Sequence, residues 1–402
     1  MTDFARAKRN ILLLAISQAL YSCCVITVFA TGSLVGLMLA PNAGLATAPI
    51  TTFVLGSALT TIPASLLMQR FGRLPVFLFG AALCVVGALL SVYAIYTKDF
   101  ALFCFATALQ GVFQSTSGFY RFAAVESASE AMKPMAISWV LTGGVVAAIA
   151  GTLISSGTSD LFPPYTFAGS YIAVAVIALI AMAVLLLIRL PKPTAEDVHG
   201  PRRSWAELLR QPKLIVAMAS GTLAYGMMNF MMTAAPVAMV GHGHDKTDAS
   251  WVIQWHVLAM FVPSFFTGQL IARYGAPKIA AIGMAILIGS AITGLSGITF
   301  GHYAVALILL GLGWNFGFIG GTTMLTSCYT SAERGKVQGA NDFIMSAIVA
   351  LASFSSGKLL EAAGWDFINI AIFPIALLAL LLIVLQSWRL PQSDAKAPKK
   401  SQ

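Results

Sequence analysis

The chain has 402 residues, of which 58% are hydrophobic and only 10% charged, with a mean hydropathy of +0.84. A soluble domain carries about 25% charged residues, so this composition excludes a water-soluble enzyme and specifies an all-α integral membrane protein. The net charge of +9 is explained by membrane topology, as the basic residues show below, and calls for no nucleic-acid partner.

Apolar stretches able to cross the hydrocarbon layer, about 20 residues each, occur twelve times: 11–39, 47–68, 75–96, 100–123, 135–157, 167–189, 214–240, 250–271, 278–299, 303–328, 337–357 and 364–388. The first follows Arg6, Lys8 and Arg9 as a signal peptide would. Its length and the apolar runs after it predict a retained membrane helix. The longest polar connection, 190–213, divides the chain. Residues 1–189 read as an N-terminal six-helix bundle, 190–213 as a cytoplasmic linker, 214–388 as a C-terminal six-helix bundle and 389–402 as a cytoplasmic tail. Within the linker, Ser204 and Glu207 have capping-box spacing for a short surface helix. Cys23, Cys24, Cys84, Cys104 and Cys328 all fall in apolar segments and read as small buried hydrophobes.

With the N-terminus placed inside, 21 of the 24 Lys and Arg fall on the inner side, and only Lys98, Lys246 and Lys358 on the outer. The positive-inside rule then predicts both termini in the cytoplasm of a multi-pass inner-membrane protein. A shift of 203 residues superposes Arg70 on Arg273, Gly72 on Gly275, Gly118 on Gly321, Glu130 on Glu333 and Lys133 on Lys336. A six-helix shift preserves orientation, so the two halves form parallel repeats. Gly72 and Gly275 suit tight turns needing positive φ. Arg70, Arg73 and Arg273 hold these turns at the basic face, as topology anchors and as gating groups.

Twelve helices, a basic central linker and a repeated Arg-x-Gly turn resemble the major facilitator superfamily. That resemblance implies two six-helix bundles, alternating access and transport of a small molecule. The family's loop signature, Gly-x-Leu-Ala-Asp-Arg-x-Gly-Arg, is met by Leu67, Arg70, Gly72 and Arg73, with Ser65 for its glycine and Gln69 for its aspartate. In the second half, Gly268, Leu270, Arg273 and Gly275 match, with Ala272 for the aspartate. The resemblance therefore implies that this chain closes its cytoplasmic face without the usual aspartate. The family's helix-4 arginine, which would align near Thr107, and the antiporter Gly-Pro pair of helix 5 are absent too.

Acids within the bilayer are costly and mark pathways. Fourteen of the fifteen acids fall in loops or near helix ends; Asp342 alone lies deep within a span. It follows Lys336 by six residues, about 9 Å along the eleventh helix. Gln338 shares its face and Asn341 adjoins it. Two readings stand: a structural acid near a helix N-terminus, or a coupling and gating group. Arg121, otherwise a snorkelling interfacial residue, or Arg70 is the expected partner across the halves.

The resemblance names helices 1, 4, 7 and 10 as cavity walls. Gln18, Tyr21, Gln110, Gln114, Tyr225, Asn229, Trp314 and Asn315 lie mid-helix there and read as substrate-binding, or singly as inter-helix hydrogen-bonding groups. With amides, aromatics and no central arginine pair, the cavity is expected to be mostly neutral. It suits a small neutral, zwitterionic or moderately apolar organic solute rather than a sugar phosphate or dicarboxylate. No phosphate-binding loop or metal-ligand pair occurs, so no enzyme activity, cofactor or metal is expected. His242 and His244 in "GHGHD" read as a polar outer loop or a weak metal or pH-sensing site, and Trp251, Trp365 and Trp388 as interfacial anchors. The expectation is a proton-coupled secondary transporter, monomeric, in a lipid bilayer. The alternatives are an efflux pump of the same fold and a non-transporting membrane sensor or scaffold.

Overall fold

The computed structural model describes residues 3–41, 45–191 and 193–389; the expected tail lies, from residue 390 onward, outside the described residues. The first half comprises α1 (Asp3–Leu39), α2 (Ala48–Phe71), α3 (Arg73–Thr97), α4 (Phe100–Ser117), α5 (Tyr120–Ser127), α6 (Lys133–Leu141), α7 (Gly143–Thr158) and α8 (Ala168–Leu186). Two short helices follow, α9 (Ala195–His199) and α10 (Trp205–Leu209). The second half comprises α11 (Pro212–Gly241), α12 (Lys246–Phe261), α13 (Ser264–Tyr274), α14 (Ala276–Leu295), α15 (Phe300–Leu325), α16 (Arg334–Ile370) and α17 (Ile372–Arg389).

Among the described residues, ten helical stretches are long and apolar enough to cross a membrane. One of them, Ser331–Gln386, holds two passes, because Gly364 takes φ 77° and breaks the helix. The expected 100–123 pass is a further one: α4, diluted by Gln110 and Gln114, continues through residues 118–119 into α5. The fifth and eighth passes each divide near mid-membrane, α6 from α7 at Thr142 and α12 from α13 at Val262 and Pro263. Proline lacks the donor that would continue the second of these. The large side chains left exposed, such as Leu12, Leu59 and Phe354, suit a hydrocarbon surround.

Local chemistry sets several helix ends. Asp99 caps α4 by accepting from Leu102 N at 2.9 Å. Ser204 and Glu207 close a reciprocal capping box on α10, as their spacing predicts, and Thr194 with Asp197 does the same for α9. Gly72 and Gly275 both take positive φ, 89° and 88°, at the turns after α2 and α13. An L side chain rarely adopts that conformation, so the repeated Arg-x-Gly reflects a repeated backbone. The tryptophans divide: Trp251 is exposed, whereas Trp365 is buried and donates Nε1 to Gly294 O at 3.0 Å. Its position at the start of the final pass puts it against α14, so it is an inter-helix bond and not the expected anchor. The side chain of Trp388 lies outside the described residues.

The halves meet along α2 against α16 and along α6 against α13. Both contacts lie toward the face that carries the α2–α3 turn and the connection through α9 and α10. That face, termed the basic face here, is where the halves are bonded together. Ser65 Oγ donates to Gly335 O at 2.8 Å, and Ser138 Oγ donates to Ser264 O at 2.6 Å while accepting from Gly268 N at 2.9 Å. At Gly268, a Cβ would lie 2.6 Å from Met135 Cα and 2.8 Å from Pro134 O. Only a glycine admits this backbone approach.

Candidate functional site

Between the halves lies a cavity of about 350 Å³. Gln18, Tyr21, Gln114, Tyr225, Asn229 and Trp314 line it, so six of the eight residues named from sequence share one wall system. Tyr21 packs edge-on to Phe113 at 5.4 Å. Across from it, Trp314 stacks on Phe318, with ring centroids 5.0 Å apart and planes 9° apart. Tyr225 and Phe261 complete that aromatic cluster, at 5.5 and 5.7 Å from Trp314. Phe318 and Phe261 were not foreseen. The Trp314–Phe318 spacing of four residues on one helix was the available signal.

The other two residues do not line the cavity. Gln110 is buried and donates Nε2 to Ser91 Oγ at 2.9 Å, tying α4 to α3. Asn315 is buried against the eighth pass: its Nδ2 donates to Met260 O and Ser264 Oγ, both at 2.7 Å, and its Oδ1 accepts from Thr267. Four residues turn a helix by about 400°, leaving a 40° offset; that offset carries Gln110 toward α3 while Gln114 faces the cavity. Asn315, next to Trp314, is rotated by about 100° away. Both serve as inter-helix hydrogen-bonding groups.

The floor of the cavity is an ion pair. Arg121 Nη2 donates to Asp342 Oδ1 at 2.6 Å, bridging the two halves, and the two side chains are only 6% and 8% exposed. Arg121 Nη1 also donates to Gly118 O at 2.6 Å. At the break between α4 and α5, Phe122 N turns to Phe119 O (3.1 Å), and Gly118 O accepts from Arg121 instead. Asn341 Nδ2 donates to the same carboxylate oxygen at 2.8 Å, and the guanidinium lies 5.0 Å from the Phe318 ring. The cavity is therefore not uniformly neutral: its aromatic and amide walls stand on a buried pair of opposite charges.

Below this floor α16 presents a polar residue to the first half at every turn. Gln338 accepts from Arg73 Nη2 at 2.9 Å, and Arg334 pairs with Glu126 and with Asp197, both at 2.9 Å. Arg73 also holds Glu126, its Nε donating at 2.8 Å. Successive positions four apart rise about 6 Å, so Asp342, Gln338 and Arg334 form a ladder from cavity to basic face. Gln69 does not leave the face unlocked as its replacement of aspartate suggests. Its Nε2 donates to Asp197 O at 2.8 Å and also to Ala332 O. An amide donates to carbonyls where a carboxylate cannot. Arg70 and Arg273 stand outside this network, exposed, each over its neighbouring ring (Phe71 at 5.4 Å, Tyr274 at 5.2 Å). Arg70 is thus not the partner of Asp342; Gln69 and Arg73, four apart, occupy the inner face of the turn.

The outermost layer is built by the connection between the halves. Glu333 is fully buried, accepting from Arg203 N at 2.8 Å and Arg203 Nε at 2.7 Å. The Arg203 hydrogen bonds hold its carboxyl well below the ordinary glutamate range, at about 2. For Asp197, burial pushes upward, but the bonds from Thr194 and the Arg334 guanidinium prevail and lower it. Both acids are anionic at neutral pH. Lys336 donates to Arg203 O at 3.0 Å and lies 4.6 Å from the Trp205 ring. Sequence reasoning missed Glu126, Asp197, Glu333 and Arg334 as members of this network, since charges at helix ends and in connections carry no periodic signal. At the opposite face, His242 Nδ1 meets Tyr303 Oη and His244 Nε2 meets Ile298 O, both at 2.7 Å. Among the described residues no group of three or more His, Cys, Asp or Glu is placed to hold a metal.

Two bundles of six passes around a polar-aromatic cavity, bonded together on one side of it, define a multi-pass membrane transporter of the alternating-access kind. The model of the Major Facilitator Superfamily matches residues 14–244 and again 217–402, and the chain belongs to that family. Among its relatives is the riboflavin transporter RfnT of Brucella anthropi, 47% identical over 388 residues that cover 96% of this chain and 98% of the relative. The fold is shared with FucP in an outward conformation (TM-score 0.74, 15% identity, covering 93% of this chain and 98% of that one). It is shared also with the proton:xylose symporter XylE (TM-score 0.76, 14% identity, 96% of each chain).

Proposed function

We propose that this chain imports riboflavin or a closely related flavin across the cytoplasmic membrane by alternating access, with Arg121 and Asp342 as gate and proton site. The cavity is the observation that carries this reading. It sets a stacked Trp314–Phe318 pair with Tyr225 and Phe261 beside the amides of Gln18, Gln114 and Asn229. Aromatic faces suit a flat heteroaromatic ring, and the amides suit a hydroxylated side chain. The likeness to a riboflavin transporter over nearly its full length narrows a general organic solute to this one.

The orientation is read from charge. The basic face carries the excess of Lys and Arg and so faces the cytoplasm with both termini. The bonded layers lie on that side of the cavity, so an importer in this state would take solute from outside. Residues 1–189 and 214–388 are the two moving bodies, and 190–213 joins them. Import then requires the floor pair and the ladder to part. Protonation of Asp342 would remove the charge that holds Arg121, coupling release of the gate to a proton.

Uptake of radiolabelled riboflavin into proteoliposomes, with and without an inward proton gradient, tests the reading. Saturable uptake accelerated by the gradient is expected, with the acceleration lost in Asp342→Asn. Uptake no greater than in protein-free vesicles overturns it.

A further inference from the structure

Arg121 is charged, buried and placed where the two halves part. Its two terminal nitrogens are hydrogen-bonded, Nη2 to Asp342 Oδ1 and Nη1 to Gly118 O, both at 2.6 Å. Two rings also lie against it: the Phe122 centroid is 4.5 Å from the guanidinium carbon and the Phe318 centroid 5.0 Å. A guanidinium over an aromatic face within about 6 Å of the centroid is attracted by the ring quadrupole, most strongly where water is excluded. Both rings are buried, so both contacts are of the stronger kind. The four partners divide between the halves. Gly118 and Phe122 lie in the first half, on the run from α4 into α5, and travel with Arg121. Asp342 on α16 and Phe318 on α15 lie in the second half. Separation at the basic face therefore keeps two contacts of Arg121 and breaks two, a charge pair and a cation–π contact.

Only the first of the broken contacts depends on the charge of the carboxylate. An arginine keeps its charge in a protein, so a neutral Asp342 leaves the cation and the Phe318 ring as they were. That ring is not free to follow Arg121. It stacks on Trp314, one turn earlier on the same helix, with planes 9° apart, and meets Tyr225 edge-on at 5.7 Å. We infer that Phe318 is a second, charge-independent hold on Arg121 across the halves, so that neutralising Asp342 does not by itself free the floor of the cavity. The inference rests on the gate reading of Arg121 and Asp342 above and deepens it. A proton reaching an empty carrier finds Arg121 still held, which guards against proton slip without solute. The ring that holds the gate is also a wall of the cavity, so opening is tied to the surface on which a solute would lie. Phe318 is in this sense a positioning residue for Arg121, whereas Phe122 keeps the cation seated in its own half.

Fluorination tests this with little change in the shape of the ring, because each fluorine drains the π face that attracts a cation. Mono-, di- and trifluorophenylalanine are introduced in place of Phe318 by nonsense suppression in the full-length chain, with Asp342 intact and with Asp342→Asn. A cysteine placed by Ser22→Cys on the cavity wall, in a chain lacking the five native cysteines, reports opening. It is labelled with a membrane-impermeant maleimide from the basic face in inside-out vesicles, with no solute present. Labelling is expected to quicken stepwise along the series, by about fivefold overall, in both backgrounds, so the test does not depend on the folding of Asp342→Asn. The same series at Phe122, whose ring moves with Arg121, should alter the rate by less than about twofold. A rate unchanged along the Phe318 series overturns the hold, and equal effects at Phe122 and Phe318 overturn its assignment to the junction between the halves. Acceleration only with Asp342 intact overturns its independence of the carboxylate. A rate that Asp342→Asn leaves unaltered, with phenylalanine retained at both positions, overturns instead the gate reading of the charge pair. No flavin and no proton gradient enter the measurement, so its outcome stands apart from the identity of the solute.

Discussion

Asp342 and Arg121 come from opposite halves of the chain, 221 residues apart, yet each is buried and the two are paired. Such a pair contributes little net stability over apolar packing, but breaking it leaves an uncompensated buried charge at a cost of about 3–5 kcal/mol. This argues for a switch and not a staple. Asp342→Asn and Arg121→Gln should each lower initial rates of solute uptake by about tenfold or more. The double variant should recover part of the loss, since no orphan charge remains. Single variants transporting at the unsubstituted rate would remove the pair from the mechanism. At this scale the acid was legible in the sequence, because a lone carboxylate in an apolar run stands out. Its partner was narrowed only to Arg121 or Arg70, and the helical phase of α2 decided between them.

At the scale of elements, α16 works as a rack whose residues at 342, 338 and 334 engage the first half in turn, and α13 meets α6 through Gly268. Gly268→Leu would drive a side chain into the Met135 and Pro134 backbone, which cannot yield without separating the helices. A reporter for that separation is Ser22→Cys, on the cavity wall, in a background lacking the five native cysteines. With Gly268→Leu added, a membrane-impermeant maleimide applied to the basic face should label this cysteine several times faster than without it. Unchanged protection would show that the α6–α13 contact does not hold the face shut. The expected bundles and turns were readable here from apolar length, the 203-residue repeat and the paired glycines. The mid-membrane breaks of the fifth and eighth passes were not, because Thr142 and Pro263 interrupt helices whose hydropathy continues unbroken across them.

For the whole molecule, all the bonded layers lie to one side of the cavity, and the connection between the halves takes part in them through Asp197 and Arg203. The state captured is therefore closed at the basic face. The same Ser22→Cys reporter, without the glycine substitution, should react with the impermeant reagent applied to the opposite face and stay protected from the basic face. The reverse pattern would mean that the orientation in the membrane, or the closed side, is inverted. The linker emerges as a strap as well as a tether. Its composition indicated only a polar connection with a capped helix, and nothing in 190–213 announced that Asp197 would meet Arg334 or that Arg203 would bury Glu333.

The sequence by itself determined a membrane protein of twelve passes in two parallel halves, the face that gathers the positive charge, and the one acid placed deep inside a span. Each is a property of segments about 20 residues long or of their repetition, where hydrocarbon thickness and charge cost act on the chain locally. Only the tertiary structure decided which polar residues face the cavity and which tie helices together. Gln110 and Gln114 differ by a 40° offset on one helix, too small for composition to register and large enough to move a side chain from cavity to core. It alone decided that the lost aspartate is replaced by an amide, a ladder and a strap, because those contacts join residues 128 to 265 positions apart whose pairing exists only once the two halves have closed on each other.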